Sequence, residues 1–445
     1  MTKSERMEGW FRWIIFVIGL TLWVQANAVV VDVVGAISSA EKYDAHYLRA
    51  QSVFEQSSYL DDEARAVLEP QLMLTHYQRV TDQTVVESEN AVYQGGESDF
   101  VSRTSLLRLE QVVYDRQSWQ WYLRAGVEQK VFAQDLRAEY QNLLLRLAEG
   151  LLHREMAVAD LRLATSDVEA LARLALLQSK RFEQGEAARV DYLDAQAGLD
   201  NARARKSEAQ QKLNETQRRV EMIVGDRVKL ELSLTDDWVA FDSLGTSEEW
   251  WQQALASSPQ LLSAELRREM AKLGHKSARS ANKPRLYLGA EYNRDAKDDT
   301  LFGGGATSEG SSVYLRAHWD IYSGGASLRR AQRAAGELRT AQLERELAER
   351  DVKQLLDLHL DKLSSGADQI RGYQSAVAAG NELAALRKGQ LDAGTVDELK
   401  YFQALRSSVE SQARLVKAVG NYQLTALRLL HVAGVLTAQD LQRLQ

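Results

Sequence analysis

Residues 390–434 read QLDAGTVDELKYFQALRSSVESQARLVKAVGNYQLTALRLLHVAG, and this stretch decides how the rest of the chain is understood. It predicts a tight turn at Gly394 feeding a long helix, because Phe402, Leu405, Val409, Val416, Val419, Ala426 and Leu430 fall on one frame of alternating three- and four-residue steps. Only Gln412 and Gln423 interrupt that frame. The same unit stands earlier as RFEQGEAARVDYLDAQAGLDNARARKSEAQQKLNETQRRVEMIVG, residues 181–225. Gly185, Tyr192, Ala195 and Gly225 match Gly394, Tyr401, Ala404 and Gly434 at a single offset of 209, without a gap. The chain is therefore a duplication, and each copy can be read against the other.

Composition points to long helices. The 445 residues include no cysteine and three prolines, Pro70, Pro259 and Pro284, so that residues 71–258 and 285–445 are free of proline. Proline inside a helix costs roughly 3 kcal/mol, and such gaps favour extended helices over a loop-rich domain. Without cysteine there is neither thiol chemistry nor a disulfide framework. A net charge of -7 argues against a general nucleic-acid binder.

The N-terminus predicts export. Lys3, Arg6 and Arg12 precede an apolar run from Trp13 to Val24, and Ala26-Asn27-Ala28 supplies small residues where a signal peptidase reads. The run is short of the about 20 apolar residues that span a membrane. Residues 1–28 are thus expected to be a signal peptide; with Val29 first after cleavage, no cysteine is there to carry a lipid anchor.

In chain order, residues 34–68 carry a helical pattern of Ala36, Ala40, Tyr43, Tyr47, Ala50 and Phe54, which Pro70 ends. Residues 71–80 and 105–115 have strand character and flank a polar, glycine-bearing loop. The second copy is clearer. Helical stretches lie on either side of Pro259, and Pro284 then introduces RLYLGAEYN, where Leu286, Leu288, Ala290 and Tyr292 share one face. Its partner alternates Val313, Leu315, Ala317, Trp319 and Ile321 against Tyr314, Arg316, His318 and Asp320. Strands of about 9 to 11 residues, apolar on one side and polar on the other, have the length and period that cross an outer membrane when tilted. Four strands cannot close a barrel, and an open edge cannot sit in lipid, so membrane placement requires oligomerisation.

After each hairpin a long helix is expected, residues 118–184 and 327–393, followed by the glycine turn and the returning helix. About 65 helical residues would reach on the order of 100 Å, a spanning device. Two apolar stripes on the second long helix, one from Leu328 and one from Leu343 and Leu347, predict two neighbours. The expected layout is a signal peptide (1–28), a first repeat (29–225), a linker (226–247), a second repeat (248–434) and a tail (435–445).

Nothing in the pattern predicts catalysis, a metal or a cofactor. The seven histidines are scattered without ligand spacing, and Gly303-Gly304-Gly305 lacks the Lys of a phosphate loop. The carboxylates of interest are Asp191 and Asp194 past the first turn glycine, with Asp397 and Glu398 past the second. Acids in a first helical turn complement the helix dipole; they could equally form a charged constriction at the hairpin tips.

Taken together, the duplication, the strands PQLMLTHY and PRLYLGAEY, the WDIYSGGASLRRA segment and the turns FEQG and LDAG make the chain resemble the TolC family of outer-membrane efflux and secretion proteins. The resemblance implies a mainly α fold with a β-barrel contribution: long helical hairpins forming a periplasmic α-barrel, and four transmembrane strands per protomer in a twelve-stranded homotrimer. It implies a passive exit duct in outer-membrane lipid, docked to a periplasmic adaptor (membrane fusion protein) and an inner-membrane ABC or RND-type transporter. The rival expectation is a soluble periplasmic coiled-coil adaptor. The turns at Gly185 and Gly394 are expected to meet the adaptor. In better-known members of the family, acids stand six and nine residues past the second turn glycine. Here those positions are Lys400 and Gln403, while Asp191 and Asp194 hold the same offsets in the first copy. Asp191 is therefore expected to pair with Lys400, with Asp194 lining the narrowest ring of a gate.

Overall fold

The computed structural model describes residues 32–87, 96–225, 245–299, 304–396 and 398–443. The expected signal peptide, most of the linker and Asp397 lie outside these residues. In chain order the elements are α1 (Val33–Tyr43), α2 (Ala45–Ala66), β1 (Gln71–Val85), β2 (Gly96–Tyr114), α3 (Arg116–Glu183), α4 (Arg189–Val224), α5 (Ser247–Ser257), α6 (Pro259–Ser280), β3 (Arg285–Lys297), β4 (Ala306–His318), α7 (Ala326–Asp392), α8 (Glu398–Ala433) and α9 (Ala438–Gln442). No helix among the described residues is long and apolar enough to cross a membrane.

Local chemistry sets the boundaries. The single helix expected over residues 34–68 is divided at Asp44, whose backbone N–H closes α1 onto the Ala40 carbonyl and whose carboxylate accepts from Tyr47 N at 2.9 Å. Pro259 occupies the first turn of α6, where its missing N–H costs nothing. Asp115 separates β2 from α3, accepting from Gln117 N at 2.9 Å and from Ser118 Oγ at 2.8 Å. The corresponding joint in the second copy is longer. Strand β4 stops at His318, so Trp319 and Ile321 fall outside the strand expected for them, and Gly324 and Gly325, at φ of 64° and 81°, turn the chain into α7.

The four strands form one antiparallel sheet in the order β1-β2-β3-β4. Leu72 pairs with Leu109, Leu109 with Ala290, and Ala290 with Val313, so one apolar row crosses the whole sheet. Two residues along, Leu74, Leu107 and Tyr292 make the next row of that face. The opposite face is polar, with Arg108 against Glu291 at 2.5 Å, Arg316 against Glu110 at 2.5 Å and Thr104 donating to Asp295 at 2.6 Å. The alternation expected of β3 and its partner is thus present over Arg285–Lys297 and Ala306–His318, and β1 and β2 extend the apolar rows, with Met73 and Leu106 on the polar face and Gln111 on the apolar one.

The chain divides into two compact units, each assembled from separated segments. One comprises Met1–Leu48, Glu139–Ala254 and Gln354–Gln445; the other comprises Arg49–Ala138 and Leu255–Lys353. The second unit holds the sheet and a small-residue helical core with Ala64, Ala125, Leu261, Leu273, Ala334 and Ala341 buried. Polar ties such as Ser263 Oγ to Asp135 at 2.9 Å and Arg345 to Glu265 at 2.8 Å brace it. In the first unit, Leu143, Leu144, Leu147, Leu151 and Leu152 of α3 are buried together with Val220, Leu356, Leu363, Ile370 and Val419.

Helix α8 is buried more widely than its sequence frame suggests. Phe402, Val419 and Ala426 are buried while Leu405, Val409, Val416 and Leu430 are half-buried, because a second row, Leu415, Tyr422 and Leu429, is buried as well. A helix with two buried rows packs against two neighbours.

Candidate functional site

The two hairpin turns are built alike. At the first, Gly185 N donates to the Phe182 carbonyl at 3.0 Å and Glu186 N to that of Arg181 at 2.8 Å; at the second, Gly394 N donates to Leu391 at 2.9 Å and Thr395 N to Gln390 at 2.9 Å. This pair of bonds returns the last orphan carbonyls of a helix to hydrogen bonding and needs a left-handed residue. Gly185 and Gly394 supply it at φ of 76° and 70°, and nothing lies within 4 Å of where either would carry a Cβ. Both turns are therefore open surface. Phe182 and Tyr192 stack across the first, ring centroids 5.6 Å apart.

The four expected gate residues lie just past these turns. Asp191 is in the first turn of α4, where its charge complements the helix dipole; it and Asp194, Lys400 and Gln403 are all exposed. Within the single chain no ion pair joins Asp191 to Lys400 among the described residues.

Deeper in the seam lies a feature that reading by apolar periodicity missed. Asp167 of α3 is buried, and it accepts from Arg406 Nε of α8 at 2.6 Å with Arg205 of α4 at 3.9 Å. Thus one carboxylate ties both hairpins. Next along the same two helices come Lys417 with Asp160 at 2.5 Å, Arg428 with Glu149 at 2.7 Å, and His431 with Asn142 at 2.8 Å. The basic members stand at intervals of eleven residues (406, 417, 428), about three helical turns, which is the signal by which the sequence could have disclosed them. Arg173 also lies over the Phe402 ring at 4.4 Å.

Three histidines stand in or beside this ladder. Burial lowers the pKa of His431, opposed by Glu149. Burial likewise lowers His359, assisted by Lys362, Arg428 and His431, and its Nδ1 has no hydrogen-bond partner. His153 is lowered by burial too, with Glu149 opposing and Arg428, Arg219 and Lys212 assisting. No group of three or more potential metal ligands occurs among the described residues.

Comparison with known proteins adds the relatives. The profile of the outer membrane efflux protein family matches residues 48–226 and 250–435. The chain is similar to the alkaline protease secretion protein AprF of Pseudomonas aeruginosa, with 24% identity over 85% of this chain and 79% of that one. It is 23% identical to the outer membrane protein TolC of Vibrio cholerae, covering 85% of this chain and 84% of the other. Among solved structures, the CmeC outer membrane channel of Campylobacter jejuni superposes with a TM-score of 0.76 at 12% identity, over 91% of this chain and 85% of that channel. The open-state MtrE channel of Neisseria gonorrhoeae gives 0.67 at 16% identity, over 92% and 88%.

Proposed function

The chain belongs to the outer membrane efflux protein family, and from that premise we propose that it is the channel subunit giving passive exit across the periplasm and outer membrane for an efflux pump or a type I secretion system. The observation that carries this reading is the sheet. Leu72, Leu74, Val313 and Leu315 are between 69% and 78% exposed on one face, while the other face carries paired charges. In water such a face is costly; against lipid it is the stable arrangement, with polar groups left for a lumen. The rival reading, a soluble adaptor, offers no use for two strand pairs joined in one sheet.

Closure of the sheet's two free edges, on β1 and β4, supports a homotrimer of twelve strands. The exposed turns at Gly185 and Gly394 are the proposed contacts of the periplasmic adaptor, which in turn engages an inner-membrane ABC or RND-type transporter. Asp191 and Lys400, paired between neighbouring hairpins, are the proposed latch of the periplasmic gate, with Asp194 and Gln403 beside them. Residues 29–225 and 248–434 are the proposed repeats. Relatives named for protease secretion favour polypeptide cargo.

Fractionation followed by planar-bilayer recording tests the whole reading. A trimer extracted only by detergent from washed outer membranes, and conducting when reconstituted, is the expected result. Recovery in the soluble fraction, or a detergent-extracted monomer, would overturn it.

A further inference from the structure

We propose that the groove at the helical end of the sheet binds one glycerophospholipid of the adjoining leaflet, with Arg116 on its phosphate; the proposal rests on reading the sheet as membrane-spanning. The groove, of about 550 Å³, lies where β2 becomes α3 and is lined by Leu68, Val112, Val113, Tyr114, Arg116 and Trp119 among others. That volume falls within the range of small-molecule sites, about 300 to 1,000 Å³.

Its wall continues the apolar face. The pairing of β2 with β3 shifts register between Val112 and Tyr114, so that Tyr114 opposes Leu286. Leu286 alternates onto the face of Leu288, Ala290 and Tyr292, and the extra residue, Val113, is exposed beside it. An acyl chain lying along β3 can therefore run over Leu288 and Leu286 to Tyr114 and Val113, passing Gln111, whose amide is engaged by the Leu68 carbonyl at 2.7 Å and the Val112 carbonyl at 2.8 Å.

Its rim carries an uncompensated cation. The neighbouring carboxylate of Asp115 is engaged by Gln117 N at 2.9 Å, Ser118 N at 3.2 Å and Ser118 Oγ at 2.8 Å. Arg116 is exposed and has no ion-pair partner among the described residues. A guanidinium at the mouth of an apolar slot matches a phosphodiester, which it can hold through two parallel N–H bonds. Trp119 and Trp121, 50% and 39% exposed, place indoles at the same level. Indole, apolar with one N–H donor, is the side chain suited to the boundary between acyl chains and headgroups. A phosphorylated soluble ligand would use Arg116 but would gain nothing from Leu68, Val113, Tyr114 and Leu286.

The test is lipid retention by the intact oligomer. Protein reconstituted in nanodiscs of phosphatidylethanolamine and phosphatidylglycerol is moved into mild detergent, and native mass spectrometry counts the phospholipid that stays bound. The expected result is one phospholipid per chain, with retention falling about tenfold in Arg116→Gln through loss of the charge-assisted bonds. Trp119→Ala should lower it too, whereas Arg116→Lys should keep part of it. Equal retention in wild type and both loss variants would overturn the site, as would wild-type protein that retains none. Cross-linking of Trp119→Cys to a second chain would assign the groove to another protomer and overturn it as well. Oligomer recovery and conductance are read in parallel; normal values in Arg116→Gln separate failure of this site from failure of the channel reading.

Discussion

Arg406 Nε lies 2.6 Å from the Oδ1 of Asp167, although 239 positions separate the two residues in sequence. The carboxylate is buried and the guanidinium half exposed, so the contact is a partly desolvated ion pair and not a surface decoration. Removing the cation leaves a buried acceptor of full charge with only Arg205, 3.9 Å away, to answer it. Arg406→Met should therefore lower stability by about 1 to 3 kcal/mol. Thermal melts of the detergent-solubilised protein check this, and Arg406→Met with Asp167→Leu should recover much of the loss, since two apolar side chains leave no orphan. A single variant as stable as wild type would show that the pair contributes nothing.

The proposed latch makes a charge-reversal prediction. Exposed pairs contribute roughly 0.2 to 1 kcal/mol, so three copies acting together shift a gate by a measurable population. Lys400→Asp should raise single-channel conductance by setting like charges at the tips, and adding Asp191→Lys should lower it again. No rise in the first variant, or no reversal in the second, would remove the latch.

Turn glycines should differ sharply from the glycine that closes α4. At Gly185 and Gly394 the space beyond the backbone is open, and a side chain there meets only the left-handed φ, about 1 to 2 kcal/mol. Gly185→Val and Gly394→Val should leave the oligomer assembled while export falls, the adaptor contact being altered. At Gly225, φ is 86° and the Tyr43 ring stands where a Cβ would go. Gly225→Ala should therefore lose more stability than Gly185→Ala, and Tyr43→Ala in the same chain should restore the part due to the ring. Equal melting shifts for the two glycine variants would contradict this.

Acid should loosen the seam. His431, His359 and His153 all have folded-state pKa values below the ordinary 6.5 because burial disfavours their charged forms. The unfolded chain then binds protons that the folded chain refuses, so their contribution is intact above about pH 6.5 and declines as pH falls from there through the folded values. Melting temperature measured from pH 8 to pH 5 should drop on the acid side, and His359→Leu with His431→Leu should flatten the decline. A profile unaltered by both substitutions would place the titration elsewhere.

Much of the architecture was legible because it is written in period. Alternation in RLYLGAEYN and the two glycine turns at one offset were sufficient to place strands and hairpins. The missed features are ones in which a single polar atom decides. Asp44 breaks a helix that the run Ala36, Ala40, Tyr43, Tyr47 would carry straight through, because its carboxylate and N–H serve two helix ends at once. Asp167 gives no local sign of burial; its partner is distant in sequence, and only the packing of three helices brings Arg205 and Arg406 to it. The side chains at the tips were nameable from the offsets, but the proposed pairing would join neighbouring hairpins, which periodicity along one segment does not register.

The ladder on α3 carries one more implication, in its steps. Its members Asn142, Glu149, Asp160 and Asp167 are separated by seven, eleven and seven residues. Seven residues fall about 20° short of two turns of a straight helix, and eleven run about 20° beyond three. Taken in succession, the two errors cancel after eighteen residues, which is five whole turns at 3.6 residues each. Over the whole row, from Asn142 to Asp167, the residual drift is only about 20°, so the partners stay close to one line along α3. Three steps of pure sevens would drift by about 60°; the single step of eleven removes most of that, which is how every rung, from His431 with Asn142 to Arg406 with Asp167, still finds its partner on α8.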